Sequence, residues 1–161
     1  MTYLLDANIF IQAHRFYYPK DVFPAFWDWL EEENYNGNIC STLPVYNEIK
    51  EGDELYEWVQ ALDRDKWFLS VDDAKTQGNI TSVADWAMNH TQFKQNAKDD
   101  FLRKADSLII AKAMSARYTL VTEEKSSPNS KAKIFIPDVC NVFNVNYCST
   151  IDLLRILRAK F

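Results

Sequence analysis

Apolar residues along this chain fall into short dense runs separated by longer stretches with helical spacing. Thr2-Tyr3-Leu4-Leu5 is the first run, and it predicts a strand that stops at Asp6. Asn8 is placed to cap a helix starting at Ile9. Phe23, Phe26, Trp27 and Leu30 then follow at the i, i+3, i+4, i+7 spacing that lines up one helical face. Asn36-Gly37-Asn38 reads as a turn, and Ile39 to Ser41 as a second strand. Pro44 suits the first turn of a helix that carries Glu48. Beyond Gly52, Leu55, Trp58, Val59 and Leu62 repeat the helical spacing, and Trp67 to Val71 reads as a third strand.

The second half continues the alternation. Asp72 to Phe101 predicts helix in pieces, and Ala105 to Ala116 a dense apolar helix. Tyr118 to Thr122 has the continuous apolar character of a strand buried on both faces. Lys133 to Ile136 reads as a last short strand before Pro137, and Ser149 as the cap of a final helix with Leu153, Leu154 and Leu157 inward. Strands alternating with helices predict an α/β fold, a three-layer α/β/α sandwich with a central parallel sheet. The expectation is one domain over residues 1–161, since no linker or repeat interrupts the pattern.

Composition narrows the function classes. Hydrophobic residues at 47% and charged residues at 25% describe a globular chain, not a disordered one. No apolar run has the length of a membrane span, and the start lacks the basic and apolar regions of a signal peptide. Cys40, Cys140 and Cys148 are odd in number and show no CxxC spacing, which argues for a reducing cytoplasm and against a zinc site. With only His14 and His90 as further soft ligands, any metal would be held mainly by oxygen. A net charge of −5 argues against nucleic-acid binding through bulk positive charge, but leaves room for a nuclease whose carboxylates are offset by bound cations.

Three acids stand where chemistry could be placed, each with an ordinary alternative. Asp6 ends the first strand, and could equally make an Asx turn that starts a helix. Glu48 borders the apolar positions Val45 and Ile49, and could equally lie on a solvated face. Asp106 interrupts an apolar helical segment, where a charge needs a partner, or else it is a first-turn acid favoured by the helix dipole. Glu123, Glu124 and Asp138 lie at or near strand ends and could also be loop acids. If the strand ending at Asp6 neighbours the strand ending at Thr122, their acidic ends meet in the crevice at the carboxyl edge of the sheet.

The order and contexts of these acids add more than their positions. The chain runs LLDANIFI (4–11), STLPVYNEI (41–49), ADSLIIAKA (105–113) and LVTEE (120–124), and in this it resembles the PIN-domain family over nearly its whole length. RFYYPKDVFPAFWDWL, VYNEIKEGDELYEW and IPDVCNVF resemble the signature stretches of a stand-alone prokaryotic subfamily with VapC-type toxin-like members. The resemblance implies an Mg²⁺- or Mn²⁺-dependent endoribonuclease. Asp6, Glu48 and Asp106 match its core acids, Asn8 and Thr122 its supporting residues, and Glu123 or preferably Glu124 its fourth acid, with Asp138 as a substitute. It also implies an RNA substrate and a cognate antitoxin protein as partner; apolar helices near the N-terminus could support a homodimer or equally be core.

Other readings are a catalytically silent PIN-like interaction module and a DNA-directed nuclease of the same fold. A haloacid-dehalogenase-like phosphatase needs a second Asp two residues after the first, where this chain has Asn8. Lys50, Arg103, Lys104 and Lys125 lie near the acids and could touch phosphate, or be ordinary surface charges. Tyr17 and Tyr18 could stack bases, whereas Trp27 and Trp58 fall on core-facing positions and His14 on a helix surface.

Overall fold

The computed structural model describes residues 1–161. Five short strands form one all-parallel sheet: β1 (Tyr3–Leu5), β2 (Ile39–Thr42), β3 (Phe68–Leu69), β4 (Thr119–Val121) and β5 (Tyr147–Cys148), in the order β3-β2-β1-β4-β5. β1 is central, with Leu4 opposite Cys40 on one side and Leu120 on the other. A strand flanked on both sides and covered on both faces is mostly apolar, and all three residues of β1 and of β4 are buried, Thr119 being the polar one. The chain lays down β1, β2 and β3 in one direction, then returns to build β4 and β5 on the other side of β1. This reversal opens a crevice at the carboxyl ends of β1 and β4.

The helices are α1 (Ala7–Gln12), α2 (Pro24–Tyr35), α3 (Leu43–Glu48), α4 (Glu54–Ala61), α5 (Arg64–Trp67), α6 (Ala74–Asn89), α7 (Gln95–Arg103), α8 (Asp106–Ala116), α9 (Ile136–Val142) and α10 (Thr150–Ile156). Together with the sheet they make the PIN-like α/β/α sandwich expected above. None is long and apolar enough to cross a membrane. A π-helical turn, Ala13–Tyr17, extends α1 and closes with Tyr18 N donating to Ala13 O. Phe10, Trp27, Trp58 and Trp67 pack ring on ring beneath α2 and α4, with centroids 4.7–6.3 Å apart. The polar ends of two of these rings are satisfied: Trp27 Nε1 donates to Tyr18 O and Trp58 Nε1 to Glu31. Trp27 and Trp58 are thus core residues, and so is much of Tyr18, whose ring stacks on Phe26 at 4.3 Å and not on a free surface.

Four expectations are corrected. Asn8 does not cap α1. Asp6 does, with its carboxylate accepting from Ala7 N, so the helix begins two residues earlier. Trp67 belongs to α5, and β3 is only Phe68–Leu69. Lys133 to Ile136 is not a strand: Ile136 opens α9, whose first turn holds Pro137, and Ile136 N is bound by Glu124 instead of a neighbouring strand. The fifth strand is Tyr147–Cys148, a two-residue edge too short to show a period.

Candidate active site

Each core acid reaches the crevice from a different element. Asp6 follows β1 and is 2% exposed; its Oδ1 accepts from Ala7 N at 2.7 Å, and its Oδ2 lies 3.4 Å from the Thr122 hydroxyl. Glu48 is the last residue of α3, and its Oε1 accepts from Ala105 N at 2.7 Å, across the start of α8. Asp106 is the first residue of α8. Glu124 lies just beyond β4, where its backbone N–H donates to the Thr122 hydroxyl at 3.1 Å. Its Oε2 accepts from Ile136 N at 2.7 Å, and its Oε1 is 3.1 Å from Lys133 Nζ. All four line one cleft of about 470 Å³, together with Asn8, Asn47, Lys50, Lys104 and Lys133.

The electrostatics follow from that crowding. Burial pushes the Asp6 carboxyl up to about 8, with further repulsion from Asp106, Glu124 and Glu48. Asp106 is pushed up to about 7, first by burial and then by Glu124 and Glu48, against the opposing pull of Lys104 and Lys133. Acids placed this close in a partly dry cleft disfavour one another's charge until a cation joins them.

Mg²⁺ or Mn²⁺ fits this donor set. The donors are hard carboxylate oxygens. Glu48 and Glu124 each spend one oxygen on a helix start, which orients the rest of the carboxylate. No three acid, His or Cys side chains converge into a ready-made cage.

Of the other fourth-acid candidates, Glu123 turns away and accepts from Thr150 N at 2.8 Å, at the start of α10. Asp138 binds Ser126 and Ser127 and lines a separate cavity. Among the cations, Lys50 and Lys104 line the cleft, Arg103 pairs with Asp100 at 2.8 Å, and Lys125 is not part of the lining. Lys133 and Asn47 escaped the sequence reading. Lys133 sits nine positions beyond Glu124, with no periodicity to connect them, while Asn47 is adjacent to Glu48 and could have been found from it. His14 is half-buried against Trp27 and 3.9 Å from Asp53, so it is not the free surface residue expected.

A second concavity, of about 390 Å³ and lined by Arg15 and Lys50, continues the cleft and shares Asn8, Ile11 and Glu48 with it. Glu51 and Asp53 line it too, so both signs of charge continue along the groove.

Residues 3–161 match the family described as "Domain of unknown function (DUF4411)", and the chain belongs to that family. No curated protein matches it. Among solved structures it is similar to VapBC2 from Rickettsia felis bound to a DNA fragment from their promoter. The two share 16% identity and a TM-score of 0.55, over 92% of this chain and 98% of that one, which is a likeness of fold.

Proposed function

We propose that this chain is a divalent-metal-dependent endoribonuclease of the PIN type. The observation that carries the reading is the meeting of Asp6, Glu48, Asp106 and Glu124, from four separate elements, at the carboxyl edge of β1 and β4. Burial and mutual repulsion there hold two of the four near neutrality. Asp6 and Asp106 would hold Mg²⁺ or Mn²⁺ directly, Glu48 directly or through water, and Glu124 would complete the set. Held by these residues, such an ion would supply activation of a water at neutral pH and charge stabilisation of the leaving oxygen.

The chain's own residues have separate tasks. Thr122 sets the positions of Asp6 and Glu124 through its single hydroxyl. The Glu48–Ala105 bond fixes the end of α3 against the start of α8, and with it the spacing of Glu48 from Asp106. Lys50, Lys104 and Lys133 line the same cleft, where they can take the phosphates flanking the scissile bond. The products carry a 5′-phosphate and a 3′-hydroxyl.

The likeness to a VapC-type toxin supports a further reading, that an antitoxin protein binds and restrains this chain. Exposed Phe16, Tyr17, Val22 and Phe23, close together in sequence near the N-terminus, offer apolar surface to such a partner or to a second copy. One observation favours the silent-module reading instead: Lys133 already pairs with Glu124 and answers part of the cleft's charge.

Incubation of the purified chain with single-stranded and structured RNA, and with DNA, in Mg²⁺, Mn²⁺ or EDTA separates these readings. Metal-dependent RNA cleavage lost in Asp6→Asn and Asp106→Asn is the expected result. Cleavage that survives both substitutions sinks the proposed site. Absence of both cleavage and metal binding favours the silent module.

A further inference from the structure

Beside the acid cleft lies another concavity, of about 370 Å³. Three half-buried rings form one side of it. Trp86 comes from the C-terminal end of α6, His90 and Phe93 from the turn that follows, and their centroids lie 4.8–5.9 Å apart. The segment 125–132 contributes Ser126 and Pro128, and α9 contributes Asp138 and the exposed Asn141.

This segment is pinned from both sides. The Gln92 side chain donates to Pro128 O at 2.6 Å and to Ser130 O at 2.7 Å. Asp138 accepts from the Ser126 hydroxyl at 2.5 Å and from Ser127 N at 2.9 Å. Lys94 N donates to Lys131 O at 2.9 Å. The cavity is therefore formed before any ligand arrives.

The same segment is flanked by Glu124 and Lys133, both of which line the acid cleft. Glu124 faces one concavity and Ser126 the other, and two residues of chain span at most about 7 Å. The linings of the two concavities therefore approach each other at this segment to within about 7 Å of backbone. Packing accounts for the inner contact of Trp86 with Phe143 at 6.2 Å, but not for an open cavity bounded by three rings and an exposed amide.

We propose that this aromatic cavity receives one unstacked base of a single-stranded RNA whose neighbouring phosphate lies in the acid cleft. The proposal rests on the nuclease reading and deepens it to a substrate class: single-stranded RNA with a base requirement at one position. The rings supply a stacking platform, and the Asn141 amide, both donor and acceptor, supplies a reader for the base edge. A base held in a duplex cannot enter.

The test measures binding of the full chain, in Ca²⁺ so that the carboxylates can be bridged to phosphate, to labelled eight-nucleotide RNAs in which an abasic site is moved one position at a time. One abasic position is expected to weaken binding roughly tenfold, the scale of one stacked base. Asn141→Ala and His90→Ala should shrink that difference while leaving affinity for the abasic RNA unchanged, which also shows that both variants fold. The corresponding duplex should bind more weakly than the single strand. Equal affinity at every abasic position, or a positional effect untouched by both substitutions, overturns the proposal. Cleavage in Mg²⁺ without a positional effect removes the base cavity and keeps the nuclease. A positional effect without cleavage in any metal does the reverse.

Discussion

Asp6 and Asp73 do the same local job in two parts of the molecule, and their acidities move in opposite directions. Each precedes a helix and accepts a backbone N–H, Asp6 from Ala7 at 2.7 Å and Asp73 from Thr76 at 3.0 Å. Asp73 lies where α6 meets α8. The Lys112 ammonium at 2.9 Å, with help from Thr76, holds its carboxyl well below the usual carboxylate range. Asp6 lies in the acid cleft, where burial and three other acids push it up to about 8. The cap bond is common to both, so it does not decide the outcome. What decides it is burial, nearly complete at Asp6 and slight at Asp73, together with whether a cation stands against the carboxylate. The α6–α8 junction carries its own, whereas the cleft leaves Asp6 to be neutralised by a proton or by an ion from solution.

Substitutions can break this contrast, and the largest effect falls on catalysis. Asp6→Asn keeps an oxygen for the Ala7 cap but removes the charge, and RNA cleavage in Mg²⁺ should fall at least about a hundredfold, the scale of one catalytic carboxylate. Single-turnover cleavage assays measure this, and Asp73→Asn in the same assay should leave the rate unchanged. Thr122→Val should lower cleavage by about tenfold, a scale typical of groups that orient metal ligands, because Asp6 and Glu124 both lose their shared hydroxyl. Glu123→Gln, which alters only the start of α10, should have no such effect.

Stability should sharpen the contrast from the other side. The pKa values of Asp6 and Asp106 in the folded chain lie above those of the unfolded chain, so the folded state holds extra protons between about pH 4 and pH 8. Their stabilisation is complete below about pH 4 and is lost as pH rises through 7 to 8. In EDTA at pH 8, Asp6→Asn should therefore raise Tm by roughly 5 °C, and at pH 4 the gain should vanish. Differential scanning calorimetry at the two pH values reads this, and an equal gain at both would show that charge is not the cause. Mg²⁺ should raise the Tm of the native chain at pH 8 more than at pH 5, because protons compete for the same oxygens. Asp73→Asn should give the smallest change, a slight drop in Tm, opposite in sign to that of Asp6→Asn, since its ion pair is partly exposed.

How much of this was legible in the sequence depended on the range of the interactions involved. β1 and β4 could be read because strands buried on both faces are mostly apolar, and β2 because it follows the Asn36-Gly37-Asn38 turn. The stripe through Phe26, Trp27 and Leu30 could be read because a helix repeats its inner face. The meeting of Asp6 and Glu124 followed from placing β1 beside β4. Readings failed where a distant partner overrides local preference. Ile136 looks strand-like until Glu124, 12 residues earlier, takes its N–H and opens a helix. Lys133 looks like any surface lysine until the chain folds back and sets it against Glu124. The separation of Glu124 from Glu123 and Asp138 was likewise invisible, because all three are acids near chain turns and only their hydrogen-bond partners tell them apart.

The contact between Asp6 and Thr122 spans 116 residues of chain, and the Glu48–Ala105 bond spans 57. Contacts of such long range form late, because the loop they close must first be ordered. During synthesis Asp6 emerges 118 residues before Glu124 (124 minus 6) and waits for it and for β4. At about 5–20 residues per second that delay is on the order of ten seconds. A nascent chain halted before residue 119 can build β1 and β2 but carries no complete cleft. Under the proposed nuclease reading, the molecule stays harmless to the ribosome and message that make it until Glu124 has been translated.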